Sequence, residues 1–311
     1  MSQNFEVVSV NVSQHKGTIK SPAQQITIDC NGVQGDAHAG PWHRQVSLLS
    51  QESIERFAQQ MGRAILPGEF AENITMRSLD AGDVAVLDRL RFGPLELEVT
   101  QIGKKCHGSG CAIFQQVGQC VMPVEGIFTR VVSGGTLAAG DRGEHVRRTL
   151  RAVILTLSDR AAAGQYEDRS GPRIRELLEA WLSGKRWHAR IDAKILPDDA
   201  EQLRKELVMA KAAGIDVVFT TGGTGVGPRD TTPETVAAEC DKLIPGIMEN
   251  IRMKFGASSP NALLSRSVAG VTGKTQIYTL PGSVRAVDEY LGEILKTMEH
   301  VLFTLHGLDV H

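Results

Sequence analysis

The sequence predicts two domains: a mainly β domain, followed by an α/β domain whose sheet is mostly parallel. The chain has 311 residues, more than the roughly 100–200 of a typical domain. The pattern also changes near Arg151, where short apolar stretches separated by glycine turns give way to strands alternating with helices. Apolar residues make up 41% of the chain and charged residues 23%, a balance that excludes disordered and fibrous sequences. We place the domains at 1–145 and 146–311.

The charge balance excludes some classes of partner. The 34 basic and 36 acidic residues nearly cancel, so no basic excess exists to bind nucleic acid or an anionic membrane surface. No apolar run approaches the ~18 residues of a membrane helix, and the first residues lack the pattern of a secretion signal. The five cysteines are too few for a disulfide scaffold. We therefore expect a cytoplasmic protein that acts on small molecules.

Short apolar stretches bounded by turn pairs such as Asn31-Gly32 predict β-strands in the first half. Short strands at this spacing are typical of a β-barrel. The predicted strands cover residues 5–12, 26–28, 84–87, 95–99 and 127–132. A single amphipathic helix is predicted at 50–60, with serines at its start. A basic stretch at 143–150 is interpreted as the linker between the domains.

The second half alternates strands and helices, which predicts a mostly parallel sheet with helices in a three-layer arrangement. Strands are predicted at 151–157, 191–196 and 215–221, and helices at 171–182, 199–213 and 284–305. The segment 270–275 is similar to a Walker A loop, but Val268 occupies the place of its first glycine. We interpret this segment as a hairpin turn.

A loop rich in glycine and threonine, residues 220–234, follows a predicted strand, where α/β proteins bind their ligands. Its glycines allow the backbone to approach a phosphate, and its threonines add hydroxyl donors. The residues concerned are Thr220, Thr221, Gly222, Gly223, Thr224 and Gly225. A helix beginning at Thr232-Pro233 would direct its positive end towards an anion. The alternative is a glycine-rich turn without a ligand.

Several motifs of the second half occur in a characteristic order at the ends of successive elements. They are Thr156 to Arg160, Leu196 to Asp199, the loop 220–234, Pro245-Gly246, Leu263 to Arg266 and Leu280 to Ser283. Together they resemble the molybdopterin adenylyltransferase family of molybdenum cofactor biosynthesis, over about residues 150–306. The resemblance implies Mg²⁺-dependent transfer of AMP from ATP to molybdopterin, with release of pyrophosphate, in a trimer.

The resemblance also implies roles for individual residues. Asp198 and Asp230 correspond to an acidic pair that handles Mg²⁺ and phosphates, and hard oxygen ligands of this kind suit Mg²⁺. Ser158, Asp159 and Ser283 lie in the ligand-binding motifs. Each also has a structural alternative, because Asp198, Asp159 and Ser283 are suitable caps for a following helix or turn, and Asp230 is a suitable turn acid.

Cys106, His107, Cys111 and Cys120 form a cluster in the first half. A zinc site is one interpretation, although the spacing matches no common zinc motif. Cysteines packed as small apolar side chains are a second. A single thiolate that binds a soft metal or carries sulfur is a third, and the neighbouring Lys104 and Lys105 would favour that thiolate.

Further motifs of the first half resemble the molybdenum cofactor sulfurase C-terminal (MOSC) domain, over about residues 5–145. They are Gly35 to Gly40, Arg44 to Leu49, Pro67 to Ile74, the stretch at Cys106, and Glu125 to Asp141. This resemblance implies a β-barrel fold and a cysteine that engages molybdenum or sulfur, a position that Cys106 matches best. His38 is then a candidate contact of a pterin or phosphate, and Arg44 a candidate phosphate ligand. The alternatives are a structural histidine and a surface ion pair.

The sequence therefore predicts an enzyme of molybdenum cofactor biosynthesis. Its second domain would adenylylate molybdopterin, using ATP and Mg²⁺, and its first domain would bind or modify the maturing molybdenum cofactor through Cys106. Expected partners are these small molecules, a molybdenum-inserting protein or a molybdoenzyme. The alternatives are a non-catalytic binding and delivery protein, and a molybdenum-dependent reductase acting through the first domain.

Overall fold

The computed structural model describes residues 2–79, 81–104 and 120–308. The chain divides into two compact units, with the division between Arg148 and Thr149. Within the described ranges, no helix has the length and apolar character needed to cross a membrane.

The first unit is a closed β-barrel with one smaller sheet. Its strands are β1 (Ser2–Val12), β2 (Ser21–Ala23), β3 (Gln25–Asp29), β4 (Gly32–Val33), β5 (Val46–Ser50), β6 (Ile74–Arg77), β7 (Arg89–Phe92), β8 (Leu95–Ile102), β9 (Ile127–Ser133), β10 (Gly135–Ala138) and β11 (Arg142–Val146). The barrel runs in the order β1, β11, β7, β8, β9, β5, β6 and back to β1, while β10, β3 and β4 form the smaller sheet. The predicted mainly β domain of barrel type is confirmed.

The barrel closes where β1 pairs with β11, with Phe5 opposite Gly143. A Cβ atom at Gly143 would lie 2.3 Å from the Phe5 ring, so this register requires a glycine. The prediction of a linker at 143–150 is therefore wrong, because residues 142–146 form a barrel strand. The basic stretch does not lie in solvent as a linker would: His145 is fully buried and lies 2.7 Å from the carboxylate of Asp88, a partner far away in sequence.

The helix predicted after β5 is confirmed as α1 (Gln51–Met61), and the Ser50 side chain caps it by accepting a hydrogen bond from the Ser53 N–H. A short helix, α2 (Met122–Glu125), precedes β9. The strand predicted at 84–87 is wrong. Three of these four residues are buried, but the segment lies between a 3-10 turn and β7, and Leu87 has a φ of 76°. Val84 belongs to the barrel core, so its apolar side chain reflects burial and not pairing in a sheet.

The second unit contains one six-stranded sheet. Its strands are β12 (Thr149–Leu157), β13 (His188–Leu196), β14 (Val217–Thr221), β15 (Lys242–Leu243), β16 (Ala269–Thr272) and β17 (Thr275–Leu280), in the order β13, β12, β14, β17, β16, β15. Its helices are α3 (Asp159–Ala162), α4 (Ser170–Ser183), α5 (Ala200–Ala212), α6 (Thr232–Glu239), α7 (Pro245–Gly256) and α8 (Val284–Leu305). The strands and helices predicted from the alternation are confirmed within a few residues of their ends.

The sheet is mixed: β13, β12, β14 and β17 pair in parallel, whereas β16 and β15 pair antiparallel at one edge. The hairpin predicted at 270–275 accounts for this, since Thr272 pairs with Thr275 across a turn in which Gly273 has a φ of 57°. The strands carry a core of buried aliphatic side chains that includes Leu155, Val218 and Ile277. The predicted three-layer arrangement of the helices stays a prediction.

Candidate functional site

The four parallel strands of the second unit end at one edge of the sheet, and the predicted site residues follow them. Ser158 and Asp159 follow β12, Asp198 follows β13, Gly222 follows β14 and Ser283 follows β17. The register places Leu157 beside Leu196, and Thr221 beside Leu280. The segments that follow line a cavity of about 730 Å³. The sequence prediction thus selected side chains that the fold brings together.

The two serines begin helices at this cavity. The Ser158 hydroxyl oxygen accepts a hydrogen bond from the Ala161 N–H at 3.3 Å, and the Ser283 hydroxyl oxygen accepts one from the Ala286 N–H at 3.2 Å. Both side chains therefore act as helix caps, the structural role that the sequence allowed for Ser283. Ser283 also directs the positive end of the long helix α8 towards the cavity.

The glycine loop takes backbone conformations that other residues rarely adopt. Gly222 has a φ of 102°, and a Cβ atom there would lie 2.3 Å from the carbonyl oxygen of Leu157. The Thr221 hydroxyl donates to the carbonyl oxygen of Pro281 at 3.0 Å. Its donor is thus used within the protein, where the sequence predicted a ligand contact. Thr220 and Thr224 are buried, so the loop presents mainly backbone to the cavity.

Arg266 holds the glycine loop in place. Its Nε donates to the Gly225 carbonyl at 2.6 Å and its Nη2 to the Asp230 carbonyl at 2.5 Å. Its own N–H donates to the Thr224 carbonyl at 3.0 Å, and its guanidinium forms an ion pair with Glu234. One half-buried side chain thus fixes both ends of the segment that carries Asp230.

Asp198 and Asp230 line the same cavity and interact electrostatically. Partial burial raises the pKa of Asp198, and the negative charge of Asp230 raises it further. The Asp230 Oδ2 also accepts a hydrogen bond from the Gly227 N–H at 2.8 Å. Within the described residues, no group of three or more His, Cys, Asp or Glu side chains forms a metal cluster. Two carboxylates with open positions fit Mg²⁺, which completes its coordination with water and substrate phosphates.

Three arginines line the same cavity: Arg160, Arg169 and Arg229. Arg229 forms an ion pair with Asp159, and the guanidinium of Arg160 lies 5.2 Å from the centre of the Tyr166 ring. Guanidinium groups match the geometry of phosphate oxygens. The cavity therefore combines carboxylates suited to a divalent cation with cations suited to phosphate.

Besides Arg169 and Arg229, the sequence analysis did not single out Asp168 and Tyr290. The Asp168 Oδ1 accepts hydrogen bonds from the Ser170 and Gly171 N–H groups at 3.0 Å, and its Oδ2 accepts one from the Thr156 hydroxyl at 2.7 Å. An Asp just before a predicted helix is a capping signal that could have found it. Tyr290 lines a second cavity of about 520 Å³, which shares Gly222, Gly223, Asp230, Gly282 and Ser283 with the first.

In the first unit, Asp36 is the centre of a buried polar network. Its Oδ2 accepts hydrogen bonds from the Lys20 ammonium at 2.5 Å, the Asn73 amide at 3.1 Å and the Ser13 N–H at 3.1 Å. Burial opposes ionisation of Asp36, but hydrogen bonds from His38 and the charge of Lys20 outweigh it and hold the pKa of the carboxyl well below its usual range. Asp36 is thus a structural anion, its Oδ2 held by three donors within the protein.

His38 and Arg44 lie at a pocket of about 380 Å³. The Nδ1 of His38 lies 3.3 Å from the Asp36 carboxylate, and its ring stacks on Trp42 at 6.4 Å between centroids. The Arg44 guanidinium lies 4.9 Å from the centre of the Trp42 ring. The Arg44 Nε is buried and has no hydrogen-bond partner among the described residues.

The described lining of this pocket includes Lys16, Arg44 and Lys104 and no acidic side chain. Its other side chains are largely apolar and include Trp42, Met122 and Phe128. Such a pocket suits an anion with an apolar or aromatic part. The predicted thiol Cys106, together with His107 and Cys111, lies outside the described residues.

Comparisons with known proteins agree with both resemblances. Residues 153–300 match the family described as a probable molybdopterin binding domain, and residues 35–144 match the MOSC domain. A molybdopterin adenylyltransferase of Helicobacter pylori (strain J99) is 35% identical over 161 residues, which cover 51% of this chain and 90% of the relative. The molybdopterin adenylyltransferase of Escherichia coli K12 is 30% identical over 161 residues, covering 51% and 80%.

Among solved structures, the molybdopterin biosynthesis enzyme MoaB of Thermus thermophilus is 36% identical, covers 51% of this chain and 97% of its own, and has a TM-score of 0.46. The relatives align with half of this chain and with most of their own length. The MOSC match accounts for most of the other half. The chain therefore belongs to the molybdopterin adenylyltransferase family and carries a MOSC domain ahead of that family's domain.

Proposed function

We propose that the second unit transfers AMP from ATP to molybdopterin and releases pyrophosphate. The phosphate monoester oxygen of molybdopterin would attack the α-phosphorus of ATP, forming a pyrophosphate link while the bond between the α- and β-phosphates breaks. A phosphate monoester is already anionic near neutral pH, since its second pKa is about 6. The reaction therefore requires alignment and charge neutralisation more than a general base.

The observation that carries this proposal is the meeting of Asp198, Asp230 and the glycine loop at one cavity whose lining also includes three arginines. The loop backbone at Gly222 to Gly225, with the Ser158 and Ser283 hydroxyls beside it, would bind phosphates, while Thr221 would position the loop through the Pro281 carbonyl. The arginines would neutralise the triphosphate. The names of the relatives support the same activity.

Asp198 and Asp230 would hold Mg²⁺, which supplies charge neutralisation to the phosphates when bound. Partial burial, and then the negative charge of Asp230, raise the pKa of Asp198, and a bound divalent cation would offset that repulsion. Asp159 would act mainly through the protein, because its carboxylate is used by the Asp198 N–H and by Arg229.

We further propose that the first unit binds molybdopterin or the mature molybdenum cofactor through its cationic pocket. Arg44 would bind the phosphate, and His38 the pterin or phosphate, beside the aromatic surface of Trp42. The buried Nε of Arg44, which lacks a partner among the described residues, supports an anionic ligand at this place. The same proposal includes engagement of molybdenum or sulfur by the Cys106 thiol. Cys106→Ser, which removes that thiol, should abolish binding of molybdenum or sulfur at this place.

The experiment is pyrophosphate release by the purified protein with ATP, Mg²⁺ and molybdopterin. Asp198→Asn and Asp230→Asn should each lower kcat/KM at least about 100-fold while molybdopterin still binds. The matched control is Asp192→Asn, an exposed carboxylate of β13 that contacts Arg190. It should leave the rate unchanged.

The same assay separates the alternatives. Tight molybdopterin binding with no pyrophosphate release by the wild-type protein would favour a binding and delivery protein. Reduction of N-hydroxylated compounds by protein loaded with molybdenum cofactor, lost in Cys106→Ser, would favour a reductase acting through the first unit. Molybdopterin-dependent release that persists in both aspartate variants would contradict the catalytic assignments.

A further inference from the structure

Tyr290 lies on α8, two turns after the Ser283 cap, and only 2% of it is exposed. Its neighbours Val287, Leu291 and Ile294 on the same helix are also buried. The Tyr290 hydroxyl oxygen is buried and has no hydrogen-bond partner within the described ranges. A tyrosine therefore occupies a place where phenylalanine would make the same ring contacts.

An unpaired buried hydroxyl is costly. Leaving such a group without a partner costs about 1–3 kcal/mol, and buried tyrosine hydroxyls usually find one. The other buried tyrosine of this unit follows that rule, because the Tyr278 hydroxyl donates to the Gln276 side-chain oxygen at 2.7 Å. The difference suggests that the partner of Tyr290 is a ligand.

Tyr290 lines the second cavity, of about 520 Å³. The hydrogen-bonding side chains of this cavity are mostly uncharged, and they include Ser259, Asn261 and Ser265. Arg285 and Glu289 also line it but neutralise each other in an ion pair of 2.9 Å. This smaller cavity therefore offers neutral donors and acceptors, whereas the larger one offers carboxylates and arginines.

The two cavities share a wall formed by the glycine loop, the Gly282-Ser283 turn and Asp230. A substrate with a phosphate at one end and an uncharged heterocycle at the other matches this division. The pterin ring carries amino and carbonyl groups, which pair with neutral side chains. ATP matches the larger cavity, where the arginines suit its phosphates and Tyr166 adds an aromatic surface.

We propose that the Tyr290 hydroxyl forms a hydrogen bond with the pterin ring of molybdopterin, bound in the smaller cavity while ATP occupies the larger one. This inference rests on the adenylyltransferase function proposed above. Tyr290 is thereby a residue that selects the pterin, and it takes no part in the transfer of AMP.

The test compares Tyr290→Phe with Tyr278→Phe as its matched control. Tyr290→Phe should raise the KM for molybdopterin about three- to tenfold, leave the KM for ATP unchanged, and leave the Tm of the ligand-free protein equal to or above that of the wild type. Tyr278→Phe should lower the Tm, because it breaks a buried hydrogen bond, and leave both KM values unchanged. Molybdopterin binding is measured in parallel by calorimetry.

Each other outcome overturns the inference in a distinct way. An unchanged KM for molybdopterin, or a rise in the KM for ATP instead, would mean that the pterin does not bind in the smaller cavity. A lower Tm of ligand-free Tyr290→Phe would show that the Tyr290 hydroxyl stabilises the fold and does not wait for a ligand. If the wild-type protein releases no pyrophosphate, the proposed function fails, and the calorimetric affinity of Tyr290→Phe for molybdopterin still decides the role of the hydroxyl.

Discussion

Asp159 and Asp198 form reciprocal hydrogen bonds across the ends of two neighbouring parallel strands. The Asp198 N–H donates to the Asp159 Oδ1 at 2.9 Å, and the Asp159 N–H donates to the Asp198 Oδ2 at 3.2 Å. The other oxygen of Asp159 pairs with Arg229, which belongs to the glycine loop. One carboxylate thus joins three segments of the site, and the orientation of Asp198 depends on it.

Two substitutions of Asp159 should distinguish the effect of its hydrogen bond with the Asp198 N–H from the effect of its negative charge. Asp159→Asn keeps an acceptor for the Asp198 N–H and loses only the pairing with the exposed Arg229, so its free energy of unfolding should fall by less than about 1 kcal/mol. Asp159→Ala leaves that N–H without its acceptor and should cost about 1–2 kcal/mol. Misplacement of Asp198 should also lower kcat/KM of pyrophosphate release about 100-fold in the alanine variant. Equal losses of stability and of kcat/KM in the two variants would show that the charge of Asp159 matters and that its hydrogen bond with the Asp198 N–H does not.

Arg266→Met should loosen the loop that carries Asp230. The substitution removes the donors to the Gly225 and Asp230 carbonyls and should lower kcat/KM for Mg-ATP about 10- to 100-fold. Arg204→Met is the matched control, since Arg204 donates, among the described residues, only to the Glu201 side chain on α5, at 2.9 and 3.0 Å, and lines neither cavity of the site. Its rate should stay near that of the wild type. A normal rate for Arg266→Met would mean that Asp230 is positioned without this arginine.

The fold was predictable where the signal is local. Apolar alternation and glycine turns predicted β1, β8 and β9, and the serine cap predicted α1. The failures involve partners distant in sequence. In the segment 84–87, Val84 is buried in the barrel core without forming a strand, and His145 tolerates burial because Asp88 lies beside it. The sheet of the second unit is mixed because a hairpin adds β16 antiparallel to β17. Periodicity cannot reveal strand direction.

The site was predictable where it follows strand ends. Asp198, Asp230 and the glycine loop lie at the carboxyl edge of the parallel strands, as the general rule for such sheets requires. Tyr290 could not be found in this way, because a tyrosine in an apolar helical stripe looks like core until its hydroxyl is seen to lack a partner. Asp168 carries a local capping signal ahead of its helix, but its second contact, the hydrogen bond from Thr156, cannot be read from the sequence.

Arg44→Gln should weaken anion binding by the first unit. The Arg44 guanidinium lines the pocket and has a buried Nε without a hydrogen-bond partner in the described part of the chain. A hydrogen bond to a charged ligand contributes about 1.5–3 kcal/mol. Calorimetry with molybdopterin on the full chain should therefore show one binding event weakened at least about tenfold, with a smaller dependence on salt. Arg91→Gln, which loses only a surface pair with Glu96, should bind as the wild type does. Unchanged binding by Arg44→Gln would exclude the pocket as the anion site.

The barrel should lose stability in acid because of Asp36. Its pKa in the folded protein lies below the ordinary value of 3.8, so between these two values the unfolded chain binds more protons than the folded one. The stabilisation is therefore complete above the ordinary value and is lost as the pH falls through the pKa of Asp36 in the folded protein.

The test compares the wild type with the double variant Lys20→Met/Asp36→Asn, because Asp36→Asn alone would leave the buried Lys20 charge without its partner. Hydrogen exchange of the β1 and β6 amides, followed from pH 6 downwards, should show a steeper loss of protection in the wild type than in the double variant. Parallel losses would mean that the acid sensitivity of the barrel arises from other carboxylates.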